Sequence, residues 1–399
     1  MSARAVAHFL VRSANDLARS SCFTRERDVV DRSLTGAPHR RAAERWLMRS
    51  IEACGGRASS KGYAFPGGWM PPYPETSGYL IPTLLSMARE DDDESAHYLK
   101  TAEAIADWLV SIQLECGGFS GREFGAQTGP DVFDTGMILI GFSALSAETG
   151  STATAAAAAR AANFLVSCMD DRGCFVRYLS HGLLHAYNVR SAWALVAHGR
   201  LVRENRFVEA GMANARWTRD QQNDSGFFAS NAFKQGCNAN THGVAYVLQG
   251  LLQIDDILGD RDSLESVVRS ANALQQLYAK HGWIAAELAP DWQYLSRHIC
   301  LTGYAQLAII FLRLFQRTRD DSYRTTAERL LEDVARTQDL RDPSAPYYGA
   351  IAGSFPIYGR YAPLQYPNWA AKFFVDALIA KKQVDSGEPA PDRLQIYRG

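Results

Sequence analysis

Long apolar runs are missing from this chain. No stretch approaches eighteen consecutive apolar residues, so no membrane-spanning helix is expected. An excess of one charge is missing too. The 42 Lys and Arg against 43 Asp and Glu leave a formal net charge of -1, with no electrostatic footprint for a nucleic-acid partner and no acidic solvating tail. Cysteines are few and scattered. The seven, Cys22, Cys54, Cys116, Cys168, Cys174, Cys237 and Cys300, are odd in number and contain no CxxC pair. That argues against a disulfide frame or a structural zinc site, and for free thiols in a reducing, cytoplasmic setting. The apolar run at residues 5–11 is broken by His8 and lacks a small-residue cleavage site, unlike a secretory leader. Neither a P-loop nor a dinucleotide-binding glycine fingerprint is present.

What is present is a repeat. A Gly-aromatic element recurs six times: Gly67-Gly68-Trp69, Gly117-Gly118-Phe119, Gly173-Cys174-Phe175, Gly226-Phe227-Phe228, Gly282-Trp283 and a degraded Tyr348-Gly349-Ala350. Each element follows an amphipathic run and precedes a more apolar one. The amphipathic runs, residues 41–53, 96–113, 152–168, 206–221, 263–279 and 322–338, have one apolar stripe and one wet face. The runs at 77–88, 135–147, 189–201, 241–254, 302–315 and 368–380 are apolar on all sides, as buried helices are. Glycines within them, at 136, 141, 243, 250 and 303, permit close helix approach. The pattern predicts an all-α (α/α)6 toroid of six helical hairpins, with six buried helices inside six outer ones. It would be a single domain over residues 41–380, between an N-terminal helical extension at 1–40 and a polar C-terminal tail at 381–399.

On these residues the chain resembles the six-hairpin α/α-toroid superfamily. The Gly-aromatic turn followed by a TG-rich helix is similar to the repeats of prenyltransferase β-subunits and squalene cyclases. Two segments, Pro74-Glu75-Thr76-Ser77-Gly78-Tyr79-Leu80 and Tyr366-Pro367-Asn368-Trp369-Ala370-Ala371-Lys372, resemble parts of toroid proteins encoded in bacterial exopolysaccharide clusters. The resemblance implies a role in polysaccharide biosynthesis or processing. The fold alone does not choose among lyases, hydrolases, epimerases and cyclases.

The repeat map gathers the starts of the buried helices at one barrel end, where long loops deepen a funnel. Glu75, Asp134, Asn188, Asn240, His242, His298 and Asn368 lie there. Asp134, Asn240 and Thr302 read equally well as helix caps. Aromatic candidates for stacking on a ligand are Trp69, Tyr73, Trp283, Trp292, Tyr361 and Tyr366, and candidate cations are Arg190, Arg297 and Arg360. Two reactions fit. In glycan hydrolysis, Glu75 and Asp134 serve as acid and base. In uronate elimination or epimerisation, His242 or Tyr187 moves the C5 proton while Asn188, Arg190 and Arg297 hold the carboxylate. The expected partner is an oligo- or polysaccharide, anionic or lipid-linked. No metal or other cofactor is expected, because neither His181/His185 nor the acidic run 91–94 has convincing ligand context. The alternatives are a non-enzymatic glycan-binding or assembly factor, and a terpene cyclase or prenyltransferase-like enzyme, for which the acid and zinc motifs are missing.

Overall fold

The structure, a computed structural model, describes residues 35–126 and 128–387. Among these residues are twelve α-helices: α1 (Ala37–Glu52), α2 (Pro74–Glu90), α3 (Ser95–Ile112), α4 (Val132–Thr149), α5 (Thr152–Ser167), α6 (Val189–Val202), α7 (Asn205–Arg219), α8 (Thr241–Leu258), α9 (Arg261–His281), α10 (Leu301–Thr318), α11 (Asp321–Thr337) and α12 (Asn368–Asp385). Seven short strands sit in the loops: β1 (Gly62–Ala64), β2 (Gly68–Trp69), β3 (Ala239–Asn240), β4 (Glu287–Leu288), β5 (Ile299–Cys300), β6 (Ser354–Phe355) and β7 (Gln365–Pro367).

The helices alternate outside and inside. In α9 burial follows a stripe, Ser263, Ser266, Val267, Ser270, Ala271, Leu274 and Tyr278, and the rest of the helix is wet. In α4 every residue from Val132 to Leu145 is buried, so this helix has no wet face. Each even-numbered helix packs on the next, α2 on α4 and so on to α12, and α12 packs back on α1 and α2. The inner ring is therefore closed. Antiparallel pairing of β1 with both β2 and β7 ties the first hairpin to the last. The chain has the α/α-toroid fold that its repeat predicts.

The recurring glycine has one geometric task. Gly68, Gly117, Gly173, Gly226, Gly282 and Gly349 all have φ between +74° and +87°, the left-handed region that other residues enter only with strain. In three repeats the same turn closes: Gly117 N–H donates to Leu114 O, Gly173 N–H to Asp170 O and Gly226 N–H to Asn223 O, at 2.8 to 2.9 Å. The aromatic that follows tucks into the core, as Phe119, Phe175 and Phe228 do.

Both outer limits of the barrel differ from the sequence reading, and several inner helices run three to four residues further than their apolar runs. The last helix does not stop at residue 380 but runs to Asp385, because Lys381 and Val384 still face the core and Lys381 pairs with Asp385 one turn on. The first helix begins at Ala37, with Pro38 in its first turn, where no N–H is required. The proposed extension up to residue 34, the tail beyond Gly387, and Cys22 lie outside the described residues. The other six cysteines are free thiols. No helix of the described residues is long and apolar enough to cross a membrane.

Close helix approach supplies a test of the packing. A Cβ placed on Gly141 of α4 would lie 2.1 Å from the backbone oxygen of Gly78 in α2. Gly141→Ala gains about 1 kcal/mol of helix propensity but forces two backbones apart, and overpacking of this kind costs about 1–3 kcal/mol or more. The expected net result is a loss of up to about 2 kcal/mol in urea unfolding. A variant more stable than the parent would show that the inner helices are not in contact here.

Candidate active site

The starts of the inner helices gather at one barrel end around a cavity of about 260 Å³. Its lining comes from five of the six inner hairpins: Glu75 of α2, Phe133 and Asp134 of α4, Tyr187 just before α6, His242 and Tyr246 of α8, and Trp369 of α12. Lys61, Tyr73, Ser180, His181, Phe233 and Tyr361 complete it from the loops.

Local sequence places the acids. Pro74 opens α2, which puts Glu75 in the first turn with its side chain buried. In α4 the capping residue is Asp131, not Asp134. Asp131 Oδ1 accepts from the N–H groups of Phe133 (2.8 Å) and Asp134 (3.2 Å), and its Oδ2 accepts from Ser180 Oγ (2.6 Å). With the cap supplied from position 131, the Asp134 side chain is free to line the cavity, where its Oδ2 accepts from the Arg122 N–H at 3.0 Å.

Electrostatics holds both carboxyls up. Burial pushes Glu75 up to about 7, against the pull of the Tyr73 hydroxyl, Arg190 and Lys61 toward its ionised form. The rise from 4.5 corresponds to about 3 kcal/mol. A helix N-terminus stabilises a nearby anion by only about 0.3–1 kcal/mol at ordinary sites, so desolvation wins. Asp134 is pushed well above the usual carboxylate range by burial, then by the nearby Asp131 and Glu75. Like charges this close cannot all ionise. Glu75 has a hydroxyl and two cations on its side, whereas Asp134 faces two carboxyls, so Asp134 is the better proton holder and Glu75 the better anion.

His242 stands across the cavity. Its Nδ1 is 2.6 Å from Gln306 Oε1 of α10, and burial lowers its pKa to about 3. The ring is therefore neutral, and with Nδ1–H donating to Gln306 its Nε2 is an acceptor. Rings surround it: Tyr246 at 4.1 Å, Tyr361 at 5.4 Å and Phe233 at 5.8 Å between centroids. Trp369 Nε1 donates to the Tyr361 hydroxyl at 2.7 Å, fixing that wall. At the mouth, Lys61 pairs with Glu123 and lies 5.7 Å from the Tyr73 ring centroid.

Of the sequence candidates, Glu75, Asp134, Tyr187, His242, Tyr73 and Tyr361 meet in this cavity. The others stand elsewhere. Trp69 packs on Trp46 and Tyr63, Trp283 on Tyr294, and Tyr366 on Tyr347. Trp292 is buried against Phe227 with its Nε1 donating to Ser225 O. Asn240 caps α8 through the His242 N–H, and Asn368 is buried with its Nδ2 donating to Ser50 Oγ. Asn188 and His298 are buried outside the lining. The three arginines do not converge: Arg190 lies deeper in the barrel, Arg297 is exposed, and Arg360 pairs with Glu287 at the surface. Thr302 does not cap α10; the cap is Cys300, whose sulfur accepts from the Gly303 N–H.

Sequence reasoning missed Lys61, Phe133, Ser180, Phe233, Tyr246 and Trp369 in the lining, and Asp131 behind it. Tyr246 lies one turn after His242 on the same helix and Trp369 directly after the noted Asn368, so helical spacing could have found both. Lys61, Ser180 and Phe233 come from loops, where spacing carries no such signal.

No protein-family model and no curated protein matches the chain. Solved structures do match in fold. An unsaturated glucuronyl hydrolase specific for heparin superposes with a TM-score of 0.70 at 17% identity, covering 89% of this chain and 98% of its own. The unsaturated glucuronyl hydrolase of Bacillus sp. GL1, responsible for glycosaminoglycan degradation, gives 0.69 at 14%, covering 88% and 97%. A D-mannose isomerase gives 0.69 at 11%, covering 90% and 100%. At these identities the likeness is one of fold.

The raised Glu75 pKa has a thermodynamic consequence. A carboxyl that titrates near 7 folded and near 4.5 unfolded stabilises the fold below pH 4.5, and that contribution is lost as pH rises through 7. Glu75→Gln removes the loss. The variant should match the parent in urea unfolding at pH 4.5 and exceed it by about 1–3 kcal/mol at pH 8. A parent more stable than the variant at pH 8 would mean that Glu75 is held ionised by its neighbours.

Proposed function

We propose that the protein is a glycan-acting enzyme, a glycoside hydrolase whose paired carboxyls are Asp134 and Glu75. The observation that carries this reading is two buried carboxyls, both raised first by desolvation and then by neighbouring carboxyls, facing one aromatic-walled cavity at the helix N-termini. Glycoside hydrolysis needs such a pair, one protonated and one ionised, at the same pH. Asp134 donates its proton to the glycosidic oxygen as the bond to the anomeric carbon breaks. Glu75 supplies the anion on the other side of the ring, either as base for water or as nucleophile. Tyr73, Tyr187, Tyr361 and Trp369 offer faces for the sugar ring. The fold neighbours, two glucuronyl hydrolases and a mannose isomerase, support carbohydrate as the substrate class.

The lining bears on substrate charge. Lys61 is its one Lys or Arg, already paired with Glu123, and no arginine fork reaches the cavity. We therefore place a neutral sugar at the reacting position, and any uronate carboxylate of a longer chain further out. The resemblance to exopolysaccharide-cluster toroids suggests a bacterial polysaccharide or its precursor as the source of that sugar, and the cytoplasm as the place of action.

A second reading follows from His242. A neutral imidazole with a free Nε2, fixed by Gln306 and facing the same cavity, suits abstraction of a carbon-bound proton in an isomerase or epimerase.

Incubation with neutral and uronate oligosaccharides, followed by reducing-end and mass analysis, separates these readings. Hydrolysis predicts shorter products from neutral glycans and a fall in kcat of about 10²–10⁴ in both Asp134→Asn and Glu75→Gln. Products of unchanged mass, with solvent deuterium incorporated and loss on His242→Ala, would replace the hydrolase by the isomerase.

A further inference from the structure

Below the funnel the bore is blocked by Arg190. Its guanidinium lies 4.6 Å from the ring centroid of Tyr246, which lines the funnel, and 5.4 and 5.6 Å from those of Trp193 and Phe373. On its other side, toward the C-terminal ends of the inner helices, lies a second cavity of about 250 Å³. Arg190, Trp193, Gln249, Gln253, Arg313 and Lys372 face it.

The charges there do not balance. Arg313 pairs with Asp256 at 2.8 Å, Lys372 with Asp376 at 2.5 Å, and Arg89, also in the lining, with Glu148 at 2.6 Å. Arg190 is 1% exposed and has no carboxylate partner among the described residues. Its hydrogen bonds go to Gln249 Oε1 and Met137 Sδ, which leaves Nη2 without one. Burying a cation without a counter-charge is costly, and ring faces offset only part of the lost hydration. Three more polar atoms in the same lining, Trp193 Nε1, Gln253 Oε1 and the Tyr79 hydroxyl, are buried without a hydrogen-bond partner. One guanidinium without a salt-bridge partner, one free N–H donor, one free acceptor and one hydroxyl that can serve as either thus border a single cavity. Their complement is an anion that accepts two hydrogen bonds and donates one.

We propose that this far-end cavity is a binding site for a small hydroxylated oxyanion seated on Arg190, with Trp193 Nε1 donating to the anion and Gln253 Oε1 accepting from its hydroxyl. A hydrogen phosphate group and a hydroxycarboxylate both have this chemistry. The site is separate from the funnel and does not depend on the hydrolase reading.

Isothermal titration of the full chain with inorganic phosphate, and separately with lactate, at constant ionic strength decides it, and the tighter of the two identifies the anion. The expected result is one site per chain with Kd below about 1 mM. Arg190→Met keeps the length of the side chain without its charge and should weaken binding at least tenfold. Trp193→Phe keeps the ring without the N–H and should weaken it several-fold. If Arg190→Met does not fold, Trp193→Phe carries the same test. Arg360→Gln, altered only at the surface pair with Glu287, should bind as the parent does. No saturable heat from either anion up to about 10 mM overturns the proposal. So does parental affinity in Trp193→Phe and Arg190→Met, or an equal loss in Arg360→Gln. Catalysis is not measured, so failure here leaves the hydrolase reading standing, and failure of that reading leaves this one.

Discussion

Backbone-to-backbone contact between inner helices is the constraint on which the barrel depends. At Gly78 and Gly141, and again where Gly136 meets Ser191, neighbouring helices approach closer than any side chain would permit. Six helices that close form a tight bore. A tight bore excludes water, and exclusion of water sets the chemistry of everything that points inward. Glu75 and Asp134 would be ordinary carboxylates on an open helix end. Inside the ring both are held above the usual carboxylate range, because neither can be solvated and carboxyls crowd them. The same dryness keeps His242 neutral and leaves Arg190 with rings for company.

Division of labour within a short segment makes this possible. Asp131 and Asp134 are three residues apart at the start of α4, and only one of them can cap it. Asp131 takes the backbone N–H groups and the Ser180 hydroxyl, so its oxygens are occupied and it raises its neighbour from behind. Asp134 keeps one backbone hydrogen bond and faces the cavity. Pro74 does the equivalent for Glu75: it starts the helix without asking the next side chain to act as a cap.

The fold was legible in the sequence because its signal is periodic and redundant. Six glycines with the same positive φ, three of them before a fully buried phenylalanine, repeat one backbone requirement, and fully apolar runs follow from helices that have no wet face. The site was most legible where it lies on that period, although Tyr73, Tyr187 and Tyr361 were also found off it. Glu75, Asp134 and His242 stand in the first turns of inner helices, so the repeat map put them together. The arginines and most loop aromatics were misplaced for a physical reason. A residue just before a helix can point into the funnel, into a neighbouring loop or outward, and sequence position does not distinguish these. Trp292 went into the core beside Phe227, Arg360 to a surface carboxylate and Tyr366 under Tyr347, each on tertiary contacts with residues remote in the chain.

The strand pair that ties the ring has a consequence for how the molecule is made. β1 lies at residues 62–64 and its partner β7 at 365–367, so the clasp joins segments from opposite ends of the described chain. On the ribosome, the first hairpin emerges with its inner flank uncovered and stays so until α12 is translated. The flank that waits for α12 includes Tyr79 and the underside of α1. Such a nascent toroid is a curved, sticky solenoid for most of its synthesis, and it becomes a ring only in its last helix. Truncation near the carboxyl end would therefore expose the first hairpin as well as the last.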